Sequence, residues 1–175
     1  MEFPPPLRPL PYAEAGGRLA ANKPDTRCAR DGVDVPPAVT GCQFAVFQNA
    51  VAAGGTVRAI CVKGAAAALS RKEIDKLVEV AKTYGAKGLA YTRWTAEARS
   101  SSFEKFLTEE EVAALAAATG LQQGDVLLVA ADADWEKACT ALGAVRLAVG
   151  EKLGLIDKDQ FNFLWVTDFP LFEYS

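Results

Sequence analysis

The sequence predicts an α+β domain in two layers, a mixed or largely antiparallel sheet with helices on one face. Three observations point there. Short β-branched or aromatic runs at 43–47, 56–62, 88–92, 126–130 and 161–167 read as strands. Between them, apolar residues recur at helical spacing, as in Ile74, Leu77, Val78 and Ala81. Connections come in two lengths, hairpin-like across Ala53-Gly54-Gly55 and crossover-like elsewhere, so strands and helices intermix in short units.

Residues 1–11 carry five prolines and read as an extended lead-in. Residues 12–21 form a short helix weakened by Gly16 and Gly17, and Asn22-Lys23-Pro24-Asp25 is turn chemistry. The polar stretch 26–41 is loop-like. The compact part begins near Cys42, with the runs 43–47 and 56–62 as a hairpin. Ser70-Arg71-Lys72-Glu73 is a capping box, in which the serine hydroxyl takes the fourth residue's amide and the glutamate reaches back. Its helix ends at Tyr84-Gly85. Thr108-Glu109-Glu110-Glu111 opens a second helix, closed by Gly120. Asp132 or Asp134 caps a longer helix carrying Trp135, Ala138, Cys139, Leu142, Val145 and Val149 and ending near Gly154. The closing run 161–167 reads as a buried strand, with Trp165 as core beside Trp135, and Asp168-Phe169-Pro170 turns the chain. A chain stopping just after such a strand is expected to continue in the intact protein.

The bulk numbers exclude several classes. A chain of 175 residues, 50% apolar and 23% charged, holds one domain with a full core. Nineteen basic and twenty-two acidic residues leave a net charge of -3, no footprint for non-specific nucleic-acid binding, though a local basic face stays open. No apolar run approaches the ~20 residues of a membrane span, and Met1 to Pro6 lacks the features of a signal peptide. Cysteines 28, 42, 61 and 139 form no Cys-x-x-Cys pair and read as free thiols of a reducing, cytoplasmic compartment. There is no histidine, which removes Ser-His-Asp and Cys-His catalysis and histidine zinc sites together.

No phosphate cradle is written in the glycines: Gly16-Gly17, Gly54-Gly55 and Lys63-Gly64 match neither nucleotide-binding fingerprint. Asp125, Asp132 and Asp134 flank one strand, but aspartates before a helix or after a turn glycine are ordinary caps, and that reading outweighs a metal site. No catalytic, cofactor-binding or metal-binding residue is assigned. Lys63, Arg71, Lys72, Lys76, Lys82 and Lys87 gather around the first capped helix, and such a cluster can meet an RNA backbone without reading its sequence. Glu73, Asp75 and Glu79 interleave with them, which favours a plain solvated face.

Seven stretches resemble one family in order and spacing: Tyr12-Ala-Glu-Ala, Asn22-Lys-Pro-Asp-Thr-Arg, Ser70-Arg-Lys-Glu-Ile-Asp, Tyr84-Gly-Ala-Lys-Gly-Leu-Ala-Tyr, Lys105-Phe-Leu, Gly143-Ala-Val-Arg-Leu, and Leu164-Trp-Val-Thr-Asp-Phe-Pro-Leu-Phe-Glu. The family is the bacterial-type aspartyl-tRNA synthetases, between their second and third class II motifs. Residues 28–41 are less alike, Ala20-Ala21-Asn22 stands where Gly-Ser-Asp is common, and residues 1–11 match poorly.

The resemblance implies a GAD insertion domain over 42–155, with 1–41 and 156–175 as lead-in and re-entry pieces of a class II catalytic core. It implies an enzyme that joins aspartate to tRNA-Asp, and in some members also tRNA-Asn, through an adenylate made with ATP and Mg²⁺, usually as a cytoplasmic homodimer away from membranes. The family's catalytic motifs would precede residue 1 and follow Ser175, so this chain alone is expected to bind no cofactor and to be inactive. Candidate tRNA contacts are Lys63, Arg71, Lys72 and Lys87. The alternative is a free-standing GAD-type module, as in subunits of tRNA-dependent amidotransferases, that binds tRNA or protein without catalysis.

Overall fold

The computed structural model describes residues 7–19, 25–26, 32–35 and 37–171. Its centre is β6 (Val126–Asp132), buried at all seven positions. Val-Leu-Leu-Val-Ala-Ala is apolar at every residue because both faces of the strand are covered, whereas a half-solvated strand would alternate. β6 pairs antiparallel with β3 (Thr56–Val62) from Val62↔Val126 to Thr56↔Asp132, and on its other side with β4 (Ala90–Trp94). The short strands β2 (Val33–Asp34) and β5 (Arg99–Ser101) close the two edges, giving the order β2-β3-β6-β4-β5, antiparallel throughout.

One face buries Ile60, Val62, Tyr91, Leu128 and Ala130 against α4 (Arg71–Thr83) and α6 (Trp135–Lys152), through Ile74, Leu77, Leu142 and Val145. The other buries Val57, Ala59, Leu127 and Val129 against α2 (Pro37–Thr40), α3 (Ala45–Ala52) and α5 (Glu109–Thr119), through Val39, Phe47 and Leu115. The α+β class and the antiparallel sheet are as expected. The second helical face is additional to the single one expected, because α3 and Leu115 of α5 supply a lid that the strand-like reading of 43–47 had hidden.

Residues 43–47 are therefore a correction: they begin a helix, and the expected hairpin across Gly54-Gly55 does not form. Phe44 and Phe47 lie three residues apart on one helical side, and their rings meet edge-on at 4.9 Å. Phe103 joins them at 5.3 Å from Phe47, so an aromatic cluster overrides the local strand propensity. Gly54 and Gly55 end α3: a Cβ on Gly55 would collide with the backbone of Asp132 and Ala133. The stretch 26–41, read as loop, contains β2 and α2 among its described residues. The fourth strand also sits two residues later than expected, at Ala90–Trp94.

A second unit lies beside this body. β1 (Arg8–Pro11) pairs parallel with β7 (Leu164–Thr167), and α1 (Tyr12–Leu19) follows β1 directly. Leu10, Ala15 and Leu19 form a small core with Leu164 and Val166. The lead-in is thus a strand over 8–11, while residues 1–6 and the turn at 22–24 lie outside the described residues. The closing strand exists, but Trp165 is 64% exposed, with Phe161 and Phe163 also exposed. That corrects Trp165 as core. Among the described residues no second layer covers the outward side of this two-stranded ladder.

Candidate nucleic-acid interface

α4 carries the candidate basic face. Ser70 caps it by accepting the Glu73 N–H at 3.4 Å, but the return arm of the expected capping box is missing. The Glu73 carboxylate instead takes Lys152 at 2.6 Å and Lys76 at 3.1 Å, contacts that hold its pKa below the usual carboxylate range. The second box is complete at Thr108 and Glu111. On α4's outer face Arg71 pairs with Asp75 at 3.1 Å and Lys82 with Glu79 at 2.8 Å. Exposed pairs of this kind are screened by solvent and contribute little to stability. Their role on this face is to neutralise one another, as the solvated-face reading expects.

The four candidate cations do not form one patch. Arg71 and Lys72 stand together on the first turn of α4. Arg71 also donates to the Tyr91 hydroxyl at 2.5 Å and lies over the Tyr91 ring at 5.1 Å. Lys63, just past β3, is engaged inward: its ammonium bonds Asp125 Oδ2 at 2.9 Å and the Gly120 carbonyl that ends α5. Lys87 follows the far end of α4, and a helix of 13 residues is about 20 Å long at ~1.5 Å per residue. There Lys87 borders an apolar cavity of about 220 Å³ lined by Phe44, Phe47, Leu89 and Val129. No ion pair joins Lys72 or Lys87 to another described residue.

Two residues escaped the sequence reading. Arg93 shares a face of β4 with Tyr91, two positions away, and donates from Nε to the Ala66 carbonyl at 2.7 Å, steadying the loop that leads into α4. Arg99 stacks over Trp94 at 4.6 Å while pairing with Glu104 at 2.6 Å. The only sequence signal was the alternation Tyr91-Thr92-Arg93-Trp94, which is equally that of an ordinary strand.

The aspartates each have a structural task. Asp125 is buried and accepts the Gly64 and Gln122 N–H groups at 2.9 Å each, besides Lys63. Burial alone would raise its pKa, but those three donors outweigh it and the carboxyl sits below its ordinary value. Asp132 accepts the Asp134 N–H, and Asp134 caps α6 through the Glu136 and Lys137 amides. Cys42, Cys61 and Cys139 are free thiols, and Cys28 lies outside the described residues. Burial pushes the Cys61 and Cys139 thiols up to about 11, so both are protonated and unreactive near neutrality. What the site presents is exposed cations beside aromatic faces, suited to electrostatic contact. Among the described residues no helix is long and apolar enough to cross a membrane.

Residues 47–142, which hold four of the five sheet strands and the capped basic helix α4, match a GAD domain. The chain belongs to the GAD domain family. Along nearly its whole length it is 48% identical to the aspartate–tRNA ligase of Exiguobacterium sibiricum, covering 97% of this chain and 29% of that protein. The aspartate–tRNA ligase of Geobacillus kaustophilus is 48% identical over 177 aligned positions, all of this chain and 30% of the ligase. The aspartate–tRNA(Asp/Asn) ligase of Bacillus mycoides is 46% identical over 97% of this chain and 29% of its own length. The chain thus spans under a third of the relatives it matches.

Proposed function

We propose that this chain is the insertion domain and flanking core segments of an aspartate–tRNA ligase. The carrying observation is that 48% identity to such a ligase extends over 97% of the chain, well beyond the GAD match itself. On this reading 42–155 is the insertion, and 1–41 and 156–175 belong to the catalytic core; the separate β1–β7 ladder and its exposed Trp165 support that for the two ends, whereas β2 and α2 pack on the insertion's sheet. The whole enzyme is a cytoplasmic homodimer, unattached to membrane, that uses ATP and Mg²⁺ to charge tRNA-Asp, with tRNA-Asn as a further substrate of some relatives. None of the ATP-holding motifs lies in this chain, so the ligand chemistry belongs to the remainder of the protein.

The insertion contributes electrostatic contact with tRNA, through Arg71, Lys72 and Lys87. Lys63 is the weakest of the four candidates, since its ammonium is already held by Asp125 and the Gly120 carbonyl. Aspartate-dependent ATP–pyrophosphate exchange tests the assignment. The full-length protein exchanges and charges tRNA, and the isolated chain does neither. Exchange by the isolated chain, or none by the full-length protein, overturns it. A free-standing GAD-type module is the second reading, favoured by the core under α4 and α6, which lies wholly within 42–155. Coding sequence read outward on both sides separates the two, since a ligase requires class II motifs there.

A further inference from the structure

Two buried arginines grip the chain that leads into the insertion. Arg58 stands on β3 with the parity of Ile60 and Val62, so it points to the α4/α6 side. Its side chain is only 7% exposed. One arm of the guanidinium bonds the Asp34 carboxylate at 2.5 Å. The other donates to the Gly17 carbonyl, with the Gly32 carbonyl at 3.4 Å. Arg146, 2% exposed on α6, donates to the Asp25 carbonyl at 2.7 Å. Trp135, also on α6, lies against Gly16 so closely that a Cβ there would strike its Cη2. The described contacts therefore fall at residues 16, 17, 25, 32 and 34, between α1 and β2.

The choice of partners is informative. Apart from Asp34, the described partners of both forks are main-chain carbonyls, contacts that fix where the backbone runs. α1 continues directly from β1, and β1 is laddered to β7. An unbroken line of hydrogen-bonded and packed elements thus joins β3 and α6 of the GAD body to the flanking unit. Arg58 and Trp135 lie inside the matched 47–142, while Gly16, Gly17, Gly32 and Asp34, which they touch, lie outside it.

We propose that Arg58 and Arg146 are positioning residues of the ligase, setting the angle between the insertion and the catalytic core so that tRNA held by one reaches the other. This rests on the ligase reading above. The prediction is a split between reaction steps. Adenylate formation needs no tRNA and is indifferent to the insertion's angle, whereas charging requires both bodies in register.

The test uses the full-length ligase with Arg58→Lys, Arg146→Lys and the pair together, since lysine keeps the charge and loses the fork. ATP–pyrophosphate exchange without tRNA, the KM and kcat of charging, and amide exchange along 12–19 are measured well below the melting temperature. The double variant is expected to raise the KM for tRNA about tenfold, with pyrophosphate exchange within about twofold of the parent. Amides of 12–19 exchange faster, and those of Leu127 and Leu128 do not. If the double variant fails to fold, the single Arg58→Lys variant carries the same comparison. Proportional loss of both activities would mean a merely structural role, and unchanged kinetics would also overturn the proposal. A parent that charges no tRNA would overturn the ligase reading instead, and the positioning role with it.

Discussion

Replacing Asp125 with asparagine keeps the shape of the side chain and removes its charge from a buried site where three N–H donors converge beside the Cys61 thiol at 3.7 Å. Two of the donors are backbone N–H groups, from Gly64 and Gln122, and the third is the Lys63 ammonium. An amide offers one acceptor oxygen where two carboxylate oxygens now serve, and its NH₂ would face a donor. Hydrogen bonds to a charged group contribute about 1.5–3 kcal/mol, and a buried donor left unsatisfied costs about 1–3 kcal/mol. Losing one good bond and orphaning one amide should destabilise the fold by about 3 kcal/mol. For a chain of this size that lowers Tm by roughly 6–12 °C.

The effect should depend on pH in a definite direction. The folded carboxyl titrates below its ordinary value, so its contribution is fully present above the unfolded pKa of about 3.9 and is lost as pH falls through the folded pKa. Urea denaturation of wild type and Asp125→Asn at pH 7, and at steps down through the acid range, measures the difference. The gap should be widest near neutrality and narrow below about pH 4. A gap under about 0.5 kcal/mol at pH 7, within the ordinary surface range, would refute the reasoning, and so would one that grows on acidification.

Charge reversal on α4 probes the tRNA face. If Lys72 neutralises one phosphate, Lys72→Glu should lower tRNA affinity of the full-length protein about eightfold or more at 0.1 M salt and reduce the salt slope by about 0.7–0.9. Filter binding across a salt series reads both, and unchanged slopes would remove Lys72 from the interface. The same assay on Lys63→Ala should show near-normal binding with reduced thermal stability, because Lys63 is engaged inward. Phe47→Ala opens the cluster with Phe44 and Phe103 and should cost about 3–5 kcal/mol in urea denaturation, whereas Val46→Ala, exposed on the same helix, should cost little.

The basic cluster around α4 was legible as a list, but its geometry was not. Sequence spacing places Arg71 and Lys72 on one turn, since helical neighbours are fixed by the 3.6-residue period. It says nothing of Lys63 turning inward to Asp125, 62 positions away, or of Arg93 reaching back to Ala66. The interleaved acids do pair with Arg71, Lys76 and Lys82, because i, i+3 and i, i+4 pairing is local.

By itself the sequence determined the strands β3 and β6, the starts of α4, α5 and α6, and the family. These rest on short-range signals, a capping serine, threonine or aspartate, a glycine stop, a helical stripe, and on ordered motifs along the chain. Only the tertiary structure decided that residues 43–47 enter a helix. A short, mostly apolar run fits either period, and Phe103 from a distant loop broke the tie. It alone showed the second helical face, the exposure of Trp165, and the grip of Arg58 on Gly17. Each of these turns on which remote segment lies opposite a residue, and burial of that kind is set by packing between elements, which no local pattern encodes.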